Sequence, residues 1–188
     1  MPTKGEKTRA DLVDCAQRLF YEHGFDGTSF SEIVAASGLQ RGNIYHYFKT
    51  KDEILLAVIE RRLGQLRGLL ALWEAEHTDP RGRLAAFVDM VVGERLELAE
   101  LGCPIGTLNS ELAKDRRDLQ SAARGLFDLL RDWLAARFTE LGRGEDAEAL
   151  ALHLLARAEG VALISQVYRD PGFVEREAAE LRAWVRGL

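Results

Sequence analysis

Cysteine is nearly absent from this chain. The 188 residues hold two, Cys15 and Cys103, far apart. That supplies neither a disulfide framework nor a zinc-ligand spacing, and it suits a reduced, cytoplasmic compartment. Proline is scarce too, four in all, while Leu and Ala are abundant, which favours an all-α chain. No apolar run approaches the roughly 18–20 residues that cross a bilayer. The opening MPTKGEKTRADL is too polar for a signal peptide. H-E-x-x-H, G-x-S-x-G and a phosphate-cradling glycine loop are all missing. The four histidines, His23, His46, His77 and His153, lie apart without metal-ligand spacing. No catalytic residue, metal or cofactor is therefore assigned. A basic excess is missing as well, since the formal net charge is −5. The acidity is uneven: residues 1–51 carry seven Lys/Arg against six Asp/Glu. That leaves 18 against 24 of the totals of 25 and 30 for the rest. Net charge bears on solubility and steering rather than fold, so a local basic face stays compatible with nucleic acid.

What is present is a concentrated pattern from Thr28 to Lys51, TSFSEIVAASGLQRGNIYHYFKTK. Ser29 and Glu32 have capping-box spacing. Phe30, Ile33, Val34 and Leu39 supply an apolar face, and Gly38 stands where a helix needs a left-handed stop. A second helix restarts at about Gln40 or Arg41 and runs to about Tyr47. Two helices joined by so short a glycine turn form a helix-turn-helix, whose second helix enters a DNA major groove. Ile44 and Phe48, four apart, face inward together. That leaves Arg41, Gly42, Asn43, Tyr45, His46 and Tyr47 outward. Arg and Asn pair with guanine and adenine edges. Tyr45, Tyr47, Lys49 and Lys51 suit phosphates, and Gly42 permits close backbone approach. The full DNA-contacting set expected here is Thr28, Ser29, Gln40, Arg41, Gly42, Asn43, Tyr45, His46, Tyr47, Lys49 and Lys51.

The stretch Arg9 to Leu56 resembles the DNA-binding domain of the TetR (tetracycline repressor) family. The resemblance rests on Ala16, Leu19, Phe20, Gly24, Phe25, Thr28, Ser29, Ile33, Ala36, Gly38, Leu39, Gly42, Ile44, Tyr45, Tyr47, Phe48, Lys51 and Leu55. Gln40 departs from the family's usual Ser or Thr cap, and Tyr47 from its common His. The resemblance implies a three-helix DNA-binding domain over 1–49 and a helical bundle over 50–188 that binds a ligand and dimerises. It also implies repression at a palindromic double-stranded DNA operator, relieved by a small-molecule or thiol-reactive effector.

The rest of the chain fits that plan. Thr3 and Glu6, then Thr50 and Glu53, repeat the capping-box spacing. A long helix from Thr50 to about Glu76 is a continuous rod and a natural lever. A helix over about Arg81–Leu98 turns Leu84, Phe87, Val88, Val91, Val92 and Leu96 inward. Pro104 is placed to open the next short helix. GCPIGTLNSEL resembles a stretch found in part of the TetR family, with a cysteine near the ligand chamber. At a helix start, Cys103 is expected to have a lowered thiol pKa. Pockets between bundle helices are common binding sites. The expected liners are Trp73, Phe87, Met90, Val91, Cys103, Ile105, Asn109, Phe127, His153, Arg157 and Tyr168. The helix over about 147–169 is apolar on more than one side. Its small residues Ala151, Ala158, Gly160, Ala162 and Ser165 are expected to admit a second subunit, giving a homodimer. Two other classes stay open at this point: an interaction module whose helix-turn-helix no longer binds DNA, and a helical-bundle enzyme.

Overall fold

The computed structural model describes the backbone of residues 3–39 and 41–188, and their side chains other than those of Lys4, Arg41 and Asn43. Gln40, expected to start the reading helix, lies outside the described residues. The chain is all-α. It runs α1 (Lys4–His23), α2 (Phe30–Ser37), α3 (Arg41–Tyr47), α4 (Lys51–Glu76), α5 (Pro80–Gly93), α6 (Arg95–Leu101), α7 (Gly106–Asp115), α8 (Arg117–Glu140), α9 (Ala147–Tyr168) and α10 (Pro171–Gly187).

Local sequence sets most of these boundaries. Thr3 and Ser29 each accept a hydrogen bond from the N–H three residues on, and Glu6 and Glu32 reach back to the cap N–H. Those bonds to the ionised carboxylates hold Glu6 and Glu32 below the usual carboxylate range. Thr50 caps α4 by accepting from the Glu53 N–H at 3.2 Å. The Glu53 carboxylate accepts from the Lys49 N–H at 2.6 Å, one residue earlier than a strict box. Ser29→Ala removes one such cap and is expected to cost about 1 kcal/mol, read as a lower urea midpoint at unchanged m-value.

Two boundaries differ from the sequence expectation. The helix expected over 81–98 breaks at Gly93–Glu94, where Glu94 takes φ −93°, ψ 6° and bonds back to Met90. Beyond the break α6 turns Leu98 and Ala99 inward, and Leu96, expected inside, is exposed. Pro104 sits in a turn, so α7 opens at Gly106.

The chain forms two compact units, each discontinuous in sequence. The first comprises Met1–Gln65 with Thr107–Leu126, the second Leu66–Gly106 with Phe127–Leu188. The first is built on Leu12, Ala16, Phe25, Ile33, Ile44, Phe48, Ile54 and Leu55, closed from below by Leu108, Leu112, Leu119 and Ala123. Thus α7 and the start of α8 complete the core on which the helix-turn-helix is built. In the second unit α10 packs on α5, α6 and α9, and α6 on α9. Glu74 gathers Trp133 Nε1 at 2.8 Å, Arg83 at 3.1 Å and Arg137. Among the described residues no helix is long and apolar enough to cross a membrane.

Candidate nucleic-acid interface

The α2–α3 turn is built by Gly38 in the left-handed region at φ 67°, its N–H bonded to the Ala35 carbonyl. Ser37 contributes a hydroxyl that donates to Val34 O at 2.8 Å and accepts from the Leu39 N–H at 3.3 Å. Ile44 and Phe48 are buried, as their spacing predicts, and this fixes which face of α3 points outward. Gly42 is exposed, and apart from its chain neighbours and its own helix backbone no described atom lies within 4 Å of where a side chain would start. Tyr45 is 38% exposed and stacks on Phe30 with ring centres 5.1 Å apart. His46 is exposed, and half-buried Tyr47 meets its ring edge-on at 5.4 Å. The structure leaves the Arg41 and Asn43 side chains undescribed, so their base-reading role rests on the sequence.

Four members of the expected DNA-contacting set have structural work of their own. Thr28 is 1% exposed, and its hydroxyl donates to Gly24 O at 2.7 Å and Leu19 O at 3.2 Å. It locks the end of α1, and burial takes its side chain out of reach of a phosphate. Lys51 is also drawn inward. Its ammonium donates to Phe25 O at 2.7 Å and sits 4.1 Å over the Phe25 ring. Lys49 donates to Tyr45 O, placing a cation at the C-terminal end of α3, where the helix dipole favours it. Ser29 stays exposed, and its oxygen accepts the cap bond of α2.

Phe25 reveals residues the sequence pattern did not select. The Glu111 carboxylate of α7 accepts from the Phe25 N–H at 2.9 Å and the Asp26 N–H at 2.7 Å. Arg116 forks onto Asp52 at the start of α4, with contacts of 3.1 and 2.7 Å. The capping rules that locate helix ends are local, whereas Glu111 is 86 and 85 residues from its two partners.

Of the expected ligand liners, Trp73, Phe87, Val91 and Ile105 are buried in the second unit, with Met90 half-buried. Asn109 is buried in the first unit and donates to Ala123 O at 3.3 Å. Arg157 pairs with Glu177 at 3.1 Å. His153 stands outward beside the Trp184 ring at 5.2 Å, and Tyr168 is 74% exposed. Neither lines an interior pocket within this chain. A groove of about 270 Å³ in the second unit is walled by Phe127, Asp128, Arg131, Leu152, Leu155, Ala156 and Glu159. Phe127 is the expected liner found on it.

Cys103 corrects the sequence expectation. Its sulfur does accept from the Gly106 N–H at 3.3 Å, at the start of α7. Burial and the neighbouring Glu159 carboxylate outweigh that bond and push the thiol up to about 12. Burial also raises Glu159. Close packing explains the glycine: a Cβ on Gly106 would lie 2.1 Å from a Glu159 oxygen. The residue at rest is a thiol, not a thiolate.

The small residues of α9 are a second correction. Ala151, Ala158, Ala162 and Ser165 pack into the chain's own core. The outward face is Leu152, Ala156, Gly160, Leu163, Ile164, Val167 and Tyr168, with Leu163 58% exposed. Spacing alone did not say which apolar side turned inward.

A capped helix-turn-helix with a polar and aromatic outward helix, in a chain whose other helical unit exposes an apolar face of α9, defines a DNA-binding regulator. Residues 12–58 match the model of bacterial regulatory proteins of the tetR family. Residues 80–180, more than half of the chain, match the C-terminal domain of LmrA/YxaF-like transcriptional regulators. The chain belongs to the TetR family. It is 27% identical over 176 residues to an HTH-type transcriptional regulator in the lacX 3′ region of Lactococcus lactis, covering 89% of this chain and 88% of that one. It is 27% identical over 129 residues, 65% of each chain, to the HTH-type transcriptional repressor NemR of Escherichia coli. A TetR transcriptional regulator from Chloroflexus aurantiacus superposes with a TM-score of 0.85 at 28% identity, covering 97% of this chain and 96% of that one. These relatives are regulators of transcription, not enzymes.

Proposed function

We propose that the chain is a homodimeric repressor that leaves a palindromic operator when a small molecule binds its C-terminal part. Residues 1–49 carry DNA contact, and 50–188 carry ligand binding and dimerisation. The protein acts in the cytoplasm, where its DNA is. The observation that carries this is α3. Its buried side is spent on Ile44 and Phe48, and its outward side presents Gly42, Tyr45 and His46 with Tyr47 at the edge. Asn43 and Arg41 read bases, while Tyr45, held by its stack on Phe30, presses on the phosphate backbone. Gly42 leaves open space that DNA backbone or base edges fill.

The repressor assignment follows NemR, and two-fold symmetry matches an inverted-repeat site. The groove beside Phe127 and Glu159 holds the effector, and its Leu152 and Ala156 wall adjoins the α9 face that meets the partner subunit. The helices α4 and α8 each continue across the boundary between the compact units, and α7 begins at it. A ligand that shifts one of them therefore has a covalent route to the reading head. Coupling of roughly 1–3 kcal/mol is typical of such switches. A thiol-reactive effector meets Cys103 as a protonated thiol, because burial first and the Glu159 carboxylate second hold its pKa up.

Two substitutions test the assignment of contacts. Tyr45→Ala is expected to weaken binding to a selected operator and to random duplex alike. Asn43→Ala is expected to cost about 1–3 kcal/mol on the operator only, relaxing preference at fixed positions. Equal losses by Asn43→Ala on both duplexes, measured by fluorescence anisotropy at one salt concentration, would contradict the base-reading role.

A further inference from the structure

We infer that Glu111 is a positioning residue for DNA recognition, holding the α1–α2 turn so that α3 meets the groove in register. The inference rests on the DNA-binding reading above. The chain enters the helix-turn-helix through Gly24–Asp26 and leaves it through Lys51–Asp52. Both points are tied to residues 107–126. At entry, the two Glu111 oxygens each take one of two successive backbone N–H groups, Phe25 at 2.9 Å and Asp26 at 2.7 Å. At exit, Arg116 grips Asp52 with two bonds of 3.1 and 2.7 Å. Lys51 joins the two points by donating to Phe25 O at 2.7 Å.

The entry tie is shaped for a carboxylate. Gly24 takes φ 77°, a conformation side chains avoid, and a Cβ there would lie 3.1 Å from both Glu111 oxygens. The glycine thus both turns the chain and makes room for the acid. Phe25 is buried to 1% exposure, so its N–H has no easy recourse to water if the carboxylate is removed. The bonds are charge-assisted and aimed at backbone, so they fix the path of the chain rather than one side chain. Behind the turn, Thr28 anchors to Gly24 O and Leu19 O, and α2 begins at once. An error in the direction of this turn is carried directly into α2 and α3.

Loss of the tie should act on alignment more than on attraction. Base contacts need sub-ångström placement, whereas phosphate contacts tolerate drift. The test uses full-length protein, a duplex enriched from random sequence by the wild type, and a scrambled duplex of equal length. Glu111→Ala is expected to weaken the enriched duplex about tenfold or more, the scale set by bonds to a charged acceptor. Binding to the scrambled duplex should change by about twofold or less, because phosphate contacts persist. Amide exchange at Phe25 and Asp26 should quicken. Glu111→Gln is the conservative partner. Its single carboxamide oxygen can hold one N–H well, so its affinity should fall between wild type and alanine, and it carries the test if the alanine variant fails to fold. A lowered thermal midpoint with wild-type affinity for the enriched duplex in the folded variants would reduce Glu111 to a stabilising contact and overturn the inference. If the wild type enriches no duplex, the DNA-binding reading falls and takes this inference with it.

Discussion

Cys103 is expected to react with iodoacetamide about fiftyfold more slowly at pH 7 than an ordinary exposed cysteine. The thiol is pushed up to about 12 by burial first and by Glu159 second. Against the ordinary value of 9.0, that is roughly a thousandfold less thiolate at pH 7. A more basic thiolate is a better nucleophile, with a Brønsted slope of about 0.4–0.5, which returns part of the loss and leaves about thirty- to sixtyfold. The pH profile follows from the same sign. A thiol whose pKa is raised stays protonated through the neutral range, so the rate should climb about tenfold per pH unit past pH 9 with no plateau there. Glu159→Gln removes the nearby negative charge and should speed the reaction at pH 7. Mass spectrometry of Cys103 alkylation against time and pH provides the measurement. A plateau near pH 8, or a fast reaction at pH 7 unaffected by Glu159→Gln, would mean that the resting site holds a thiolate.

Charging the outer face of α9 should have the other large effect. Leu163 and Val167, four residues apart and 58% and 64% exposed, lie on one side of that helix with Leu152, Ala156 and Gly160. The double substitution Leu163→Glu, Val167→Glu leaves the chain's own core untouched, because Ala158, Val161, Ala162 and Ser165 supply it. The variant is expected to keep its helical content and sediment as a monomer. With the reading heads unlinked, operator affinity should fall by about 10²–10⁴, the advantage that linkage confers on two sites. Analytical ultracentrifugation and anisotropy on the same sample give both results. A variant that stays dimeric would place the subunit contact elsewhere, and one that is monomeric with full operator affinity would separate dimerisation from DNA binding.

Where the fold was legible in the sequence, the rule was local. Thr3 with Glu6 and Ser29 with Glu32 are three apart, and their boxes form because cap and helix share one turn of chain. Ile44 and Phe48 disclose the buried side of α3 by spacing, and so its outward side. Legibility stops where burial depends on a distant partner. Lys51 and Thr28 look like phosphate ligands by type and position, yet Phe25 and Gly24 claim them. Apolar residues surround α9, and only packing by α6 and α10 decides that Ala158 faces in and Leu163 out. A helix start argues for an acidic Cys103, and burial, joined by Glu159 from 56 residues later, reverses the sign. Glu111 carries no local mark at all, since its partners are the N–H groups of another segment.

In the proposed function two copies of α3 read DNA together across a two-fold axis. Selection of duplexes from a random pool by the full-length protein, followed by sequencing, tests it most directly. The expected product is an inverted repeat with half-site centres about one helical turn apart, on the order of 34–36 Å or somewhat more, whose preferred bases shift in a parallel selection with Asn43→Ala. A pool that remains random, or one that converges on a single unsymmetrical site indifferent to Asn43, would contradict it.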